Sequence, residues 1–203
     1  MKGKFITLEG PDGSGKTTVS KIVVEQLQME GYKVLLTREP GGIDIAEQIR
    51  KIILDTNNIT MDARTEALLY AAARRQHLVE KVAPALNDGY IVICDRFVDS
   101  SLVYQGVGRK IGIEEVYQIN QFAIGNIKPD ATIFFDLPYE VGLARINNGE
   151  RVADRLDLES DDFHKDGYMT ICEKYAERIT KIDASKTIDE VVAQVINVIK
   201  SKL

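Results

Sequence analysis

Residues that build many metal and nucleophile sites are scarce in this chain. Its 203 residues hold two cysteines and two histidines. Cys94 and Cys172 form no metal-ligand spacing and read as small buried hydrophobes in a reduced, cytoplasmic setting. His77 and His164 are far apart in sequence, each in a helical segment, and read as structural or solvated rather than catalytic. No apolar run approaches the roughly 20 residues that span a bilayer, so no membrane partner is expected. The N-terminus passes directly into an apolar run at Phe5, without the charged-then-apolar pattern of a secretory leader. With Lys and Arg at 26 against 31 Asp and Glu, the net charge is −5. That excludes a general nucleic-acid-binding surface while leaving room for a local basic pocket. Internal repeats, low-complexity tracts and linkers are absent, and a chain of this length suits one compact domain spanning 1–203.

Against this plain background one segment stands out: Gly10-Pro11-Asp12-Gly13-Ser14-Gly15-Lys16-Thr17. It matches the phosphate-loop pattern of Gly, four residues, Gly, Lys, then Ser or Thr. The apolar run before it and the amphipathic segment Thr17 to Glu30 after it give the strand–loop–helix setting that the pattern needs. Glycines let consecutive N–H groups turn inward toward an anion, and the helix N-terminus adds its positive end. Lys16 supplies a point charge for the outer phosphates, and the Thr17 hydroxyl is a ligand for Mg²⁺. The segment says nucleoside triphosphate, without saying what is done with it.

Apolar runs alternate with helical periods along the chain. Phe5–Leu8, Lys33–Leu36, Tyr90–Cys94, Ala131–Leu137 and Thr180–Asp183 read as strands, nearly continuous in apolar character as strands covered on both faces are. Asp44 with Glu47 has a capping-box-like spacing ahead of Ile45, Ile49, Ile52 and Ile53; Thr187 with Glu190 opens the last helix as a capping box. Gly31 reads as the residue that ends the first helix. This alternation predicts an α/β fold in three layers: a five-stranded parallel sheet with helices on both faces, its ligands beyond the carboxyl ends of the strands. The polar stretch from Asn147 to Asp162 reads as an excursion, a short lid at about 145–158, punctuated by Arg145, Arg151 and Arg155. Arginines there suit charge on a transferring phosphoryl group, although a solvated charge run has the same look.

A second constellation accompanies the loop. Strand Tyr90–Cys94 ends in Asp95-Arg96, a carboxylate placed to hold Mg²⁺ and a guanidinium suited to phosphate oxygens; a turn-capping Asp with a paired Arg fits the two residues as well. Arg38-Glu39-Pro40-Gly41-Gly42 must form a shaped loop at the same sheet edge. The segment Thr65–Lys81 reads as a helix apolar on all sides at Ala67 to Ala73, hence buried. Tyr70 and Arg74, four apart, share one helical face, an aromatic plate beside a guanidinium. Ser101 and Gln105 are again four apart, and Gln both donates and accepts, as a pyrimidine edge requires. Taken singly, each pair also fits an ordinary helix face.

Together these segments resemble thymidylate kinases of the bacterial type, P-loop kinases of nucleoside monophosphates. The matching pieces are Glu9 to Thr18, Thr37 to Gly42, Glu66 to Arg75, Cys94 to Ser101 with Tyr104-Gln105-Gly106, and Arg155-Leu156-Asp157, and the resemblance they mark runs over nearly the whole chain. The resemblance implies a P-loop kinase fold and transfer of the γ-phosphoryl of ATP to dTMP with Mg²⁺, toward dTTP, in a cytoplasmic homodimer. It implies that Gly10 to Thr17 bind ATP, that Asp12 reaches the acceptor sugar, that Arg96 bridges toward the acceptor phosphate and that Thr17 and Asp95 organise Mg²⁺. It places Tyr70 against the base, Arg74 and Gln105 on its carbonyl and ring N–H, Ser101 in the base pocket, Glu39 and Arg50 on the acceptor side, and Arg151 and Arg155 in the lid. Gly13 stands where some family members carry a basic residue. The alternatives are another P-loop (deoxy)nucleotide or nucleoside kinase and, in a different class, a regulatory P-loop ATPase. No Asn-Lys-x-Asp guanine-reading motif supports the latter.

Overall fold

In the computed structural model, residues 3–147 and 163–203 are described. In chain order the elements are β1 (Lys4–Glu9), α1 (Lys16–Met29), β2 (Val34–Arg38), α2 (Asp44–Leu54), α3 (Ala63–His77), α4 (Ala83–Asn87), β3 (Ile91–Asp95) and α5 (Val98–Ser101). They continue with α6 (Ile113–Ile124), β4 (Ala131–Asp136), α7 (Tyr139–Asn147), α8 (Phe163–Lys174), β5 (Ile179–Asp183) and α9 (Ile188–Lys200). The five strands form one parallel sheet in the order β2-β3-β1-β4-β5. From β1 the chain goes out to β2, returns to β3, then crosses to β4 and β5 on the far side. The loop after β1 therefore sits at the middle of the carboxyl edge, where such sheets bind ligands.

The strands read as apolar because alternate residues feed two cores. Ile6, Leu8, Ile93, Ile133 and Phe135 pack with Val19, Val23 and Leu27 of α1 and Val191, Val195 and Ile199 of α9. Phe5, Val92, Cys94 and Phe134 join Leu102, Val116, Tyr168 and Ile171 on the other face. Covering both faces leaves the carboxyl edge as the open side. The expected strands all form, within one or two residues at their ends. Gly31, at φ 89, does follow the C-cap of α1, and Thr187 with Glu190 does form a capping box.

Three local expectations need correction. Ile43, not Asp44, is the N-cap of α2, and it has no side-chain cap; Glu47 instead accepts the Gly42 N–H at 2.7 Å and pairs with Arg38 at 2.8 Å. The apolar segment of α3 is not buried all round, since Leu68 is 56 % exposed and Ala72 is also exposed. Nor is the helix α-helical to Lys81: Leu78–Val82 is π-helical, as is Leu102–Gly108 after α5. The Gln105 turn is thus wider than an α-helix. The stretch expected as a lid lies outside the described residues from 148 onward, with Arg151 and Arg155 in it.

Candidate active site

The phosphate loop runs between β1 and α1. Gly10, Gly13 and Gly15 all have positive φ. Gly13 is fixed by a close approach as well: a Cβ there would lie 2.3 Å from the Gly142 carbonyl oxygen of α7. No basic side chain can stand at this position without moving α7, so the positive charge must come from elsewhere. Lys16 is buried and donates to Gly10 O and Pro11 O at 2.9 Å each and to Ser14 Oγ at 3.2 Å. Burial, and then the positive charge of Arg96, lowers its pKa to about 8. These carbonyls hold the ammonium where an incoming phosphate can take it over.

Beside the loop, the Thr17 hydroxyl donates to Asp95 Oδ2 at 3.2 Å. The other oxygen, Asp95 Oδ1, is buried and has no hydrogen-bond partner among the described residues. A hydroxyl next to an unsatisfied buried carboxylate oxygen is a hard oxygen donor set of the kind Mg²⁺ takes. The pair therefore fits the metal that the sequence suggested.

Arg96, directly after β3, has φ 66, in the left-handed region that non-glycine residues avoid. Such strain persists where surrounding structure enforces it, commonly at functional sites. Here the Arg96 N–H is held by Leu8 O at 2.9 Å. Its side chain donates to Asp12 Oδ1 at 2.5 Å, Ser100 Oγ at 3.1 Å and Tyr168 Oη at 3.2 Å, and lies over the Tyr104 ring, 5.2 Å from its centroid. The guanidinium thus joins the phosphate loop to the residues that precede Gln105.

The second pocket grows from α3. Tyr70 is buried, and its hydroxyl is pushed up by burial and then by the Glu66 carboxylate, with Arg96, Tyr104 and Arg50 also within its field. No hydrogen bond to that hydroxyl exists among the described residues. Arg74, only 2 % exposed, is not a surface cation. It donates to Glu39 Oε2 at 2.7 Å, to Ser101 Oγ at 3.2 Å from each terminal nitrogen, to Phe97 O at 3.0 Å and to Asn120 Oδ1. Glu39 spends its other oxygen on His77 Nδ1 at 2.9 Å, and His77 Nε2 meets Thr37 Oγ1 at 2.8 Å. Glu39 therefore holds Arg74 rather than facing open space, and His77 is structural, as expected. The side chains of Glu39, His77 and Cys94 come together closely enough for a metal ion, but the first two are already engaged with each other and with Thr37 and Arg74. Both cysteines are free and buried. Gln105 is buried and donates to Glu66 Oε1 at 2.8 Å. Arg50 of α2 donates to Pro40 O at 3.0 Å, beyond the cis bond between Glu39 and Pro40.

Residue patterns alone missed several members of this site. Glu9 is 1 % exposed; it accepts the Phe97 N–H at 2.7 Å and the Ser100 hydroxyl at 2.5 Å, pinning the segment that carries Arg96. Burial and the neighbouring Asp99 carboxylate raise it to about 7. A carboxylate closing a buried strand directly before a phosphate loop was the available signal. Tyr168 and Asn120 had none, because their partners lie far away in sequence. Arg145, read with the lid, instead sits on α7 and reaches Gly13 O at 3.3 Å, with Ala184 O at 3.5 Å. It bridges the phosphate loop and the turn after β5.

Residues 8–195 match the family model described as Thymidylate kinase. The chain belongs to the thymidylate kinase family. It is 57 % identical to the thymidylate kinase of Clostridium novyi, with 96 % of this chain and 97 % of that protein covered. It is also 57 % identical to the one from Bacillus velezensis, over 100 % of this chain and 98 % of the relative. The crystal structure of thymidylate kinase from Ehrlichia chaffeensis superposes with a TM-score of 0.77 at 34 % identity, covering 98 % of this chain and 99 % of that one. This thymidylate kinase family member is an enzyme of that type with the P-loop kinase fold. No helix among its described residues is long and apolar enough to cross a membrane.

Proposed function

We propose that Lys16, Arg96 and Asp95 carry the chemistry in this kinase, which phosphorylates dTMP to dTDP with ATP, with Asp12 reaching the acceptor sugar. The reading rests on one observation above all: Arg96 touches Asp12 on the phosphate loop while lying over Tyr104, the neighbour of Gln105. Two anion-holding pockets therefore meet at one guanidinium. The attacking group is a phosphate oxygen of dTMP, already ionised near neutral pH, so no general base is required. Catalysis is positioning and charge neutralisation. Main-chain N–H groups of Gly10 to Thr17 cradle the triphosphate, Lys16 follows the outer phosphates and Arg96 spans donor and acceptor. Thr17 and Asp95 would hold Mg²⁺, which when bound neutralises phosphate charge.

On the acceptor side Tyr70 stacks on the base, and Gln105 meets its ring N–H. Ser101 already receives an N–H from each terminal nitrogen of Arg74, so one of these can turn to a base carbonyl without leaving Ser101 unbonded. Arg50 lies toward the acceptor phosphate, and Glu39 keeps Arg74 in place. Arg151 and Arg155 enter only through the family resemblance, as charge-neutralising residues of a lid within one domain. A homodimer, working in the cytoplasm where ATP and dTMP are met, completes the reading.

The test is an acceptor panel with ATP, read by ADP production, on the wild type and Arg96→Ala. The wild type should turn over dTMP well ahead of dCMP and dGMP. Arg96→Ala should lose on the order of 10³-fold in kcat, the scale of a lost bridging arginine at a phosphoryl centre, with ATP binding nearly unchanged. Turnover within a few-fold of wild type would remove Arg96 from the reaction.

A further inference from the structure

We propose that Glu66 is the residue that fixes which end of the Gln105 amide faces the base, and so sets the preference for thymine over cytosine. The proposal rests on the reading of Gln105 as a base-reading residue. An amide presents an acceptor at one end and a donor at the other, and the two ends are nearly equal in size. Left free, Gln105 could turn either end to a pyrimidine. Thymine offers an N–H at ring position 3, whereas cytosine offers a bare nitrogen there. A freely turning Gln would serve both.

Glu66 removes that freedom. Its carboxylate is 1 % exposed on α3, and its Oε1 accepts from Gln105 Nε2 at 2.8 Å. An ionised carboxylate only accepts, so the NH₂ end must point to it and the carbonyl end away. Arg109 pairs with that carboxylate: its Nε donates at 3.1 and 3.2 Å to the two oxygens and its Nη2 donates to Oε2 at 2.7 Å, a forked, charge-assisted clamp. Gln105 Oε1 receives no hydrogen bond from the described residues, leaving an acceptor to offer. Tyr70 stands one turn from Glu66 on the same face of α3, so the plate that stacks on the base and the carboxylate that orients its reader share one rigid element. Glu66 touches no substrate in this scheme and is a positioning residue.

The experiment compares kcat/KM for dTMP and dCMP in the wild type, Glu66→Gln, Gln105→Leu and the swap Glu66→Gln with Gln105→Glu. In Glu66→Gln the neighbour both donates and accepts, so Gln105 can turn. The ratio of dTMP to dCMP should fall about tenfold, the worth of one hydrogen bond, through KM for dTMP, while KM for ATP stays constant. The swap puts an acceptor-only group at position 105 and should restore the thymine preference. A ratio unchanged in Glu66→Gln but lost in Gln105→Leu would overturn the positioning role while keeping the base contact. A ratio unchanged in Gln105→Leu would overturn the base contact itself and the proposal with it. Should Glu66→Gln fail to fold, hydrogen exchange on the wild type without substrate decides: the Gln105 side-chain amide protons should be protected, and rapid exchange would refute the clamp.

Discussion

Lys16 is where pH should be felt most directly. Its ammonium sits at about 8 in the fold because burial, and then Arg96, oppose its charge. A bound triphosphate favours the charged form, so binding above pH 8 must first recruit a proton. ATP affinity should hold steady below pH 8 and weaken above it, by up to about tenfold per pH unit while the free enzyme stays neutral. Stability runs the other way. The folded pKa lies below the usual Lys value, so the cost of burying this charge is present in full below pH 8. It is relieved as pH rises toward the ordinary value of 10.5. Titration of an ATP analogue at pH 7, 8 and 9 checks the first statement, and a flat profile would mean that Lys16 is fully charged before ligand arrives.

At the scale of elements, the phosphate loop depends on a helix from much later in the chain. A Cβ on Gly142 of α7 would come within 2.9 Å of Asp12 O, as one on Gly13 would meet Gly142. Two glycines back to back let α7 lie against the loop. Gly142→Val should push the loop off its geometry, raising KM for ATP about tenfold or more and loosening the Arg96–Asp12 contact. KM for dTMP should move less, since α3 and α5 are untouched. Steady-state kinetics in both substrates would show the split, and equal changes in both would point to global damage instead. This contact also marks where sequence reading stops. The phosphate loop, Asp95-Arg96 at the end of β3 and the five apolar runs that form the strands were legible because each is a local pattern, whereas the order of the strands in the sheet was not. Glu9, Tyr168, Asn120 and the place of Arg145 were not, because each acts through a partner that only the fold brings near. The two π-helical turns carry no residue signal at all. The saturation of Arg74 was invisible too: spacing puts it beside Tyr70 but does not count its acceptors.

For the whole molecule, the decisive surface is the outer side of α2, α3 and α6, which pack side by side. On α3 the inward face carries Glu66, Tyr70, Arg74 and His77. The outward face carries Leu68 and Ala72, and Val79 continues it just past the helix end. Leu68 is 56 % exposed, Val79 40 %, Ile45 and Ile52 of α2 49 % each, and Phe122 of α6 92 %. Val116, Asn120 and Ala123 of α6 face the core, so core packing does not account for Phe122. An apolar stripe that lies open in a single chain is what a second copy would cover, since a twofold interface is self-complementary. Phe122→Glu tests this. Burying a large apolar side chain is worth about 1.5–3 kcal/mol, and a twofold axis counts each substitution twice. If two copies pair through this face, their dissociation constant should rise by about 100-fold or more in sedimentation equilibrium, with the monomer still folded by circular dichroism. Because α3 carries Tyr70 and Arg74 on its opposite face, the separated monomer should also show a higher KM for dTMP while binding ATP normally. A Phe122→Glu protein that sediments as the wild type does would remove this face from self-association.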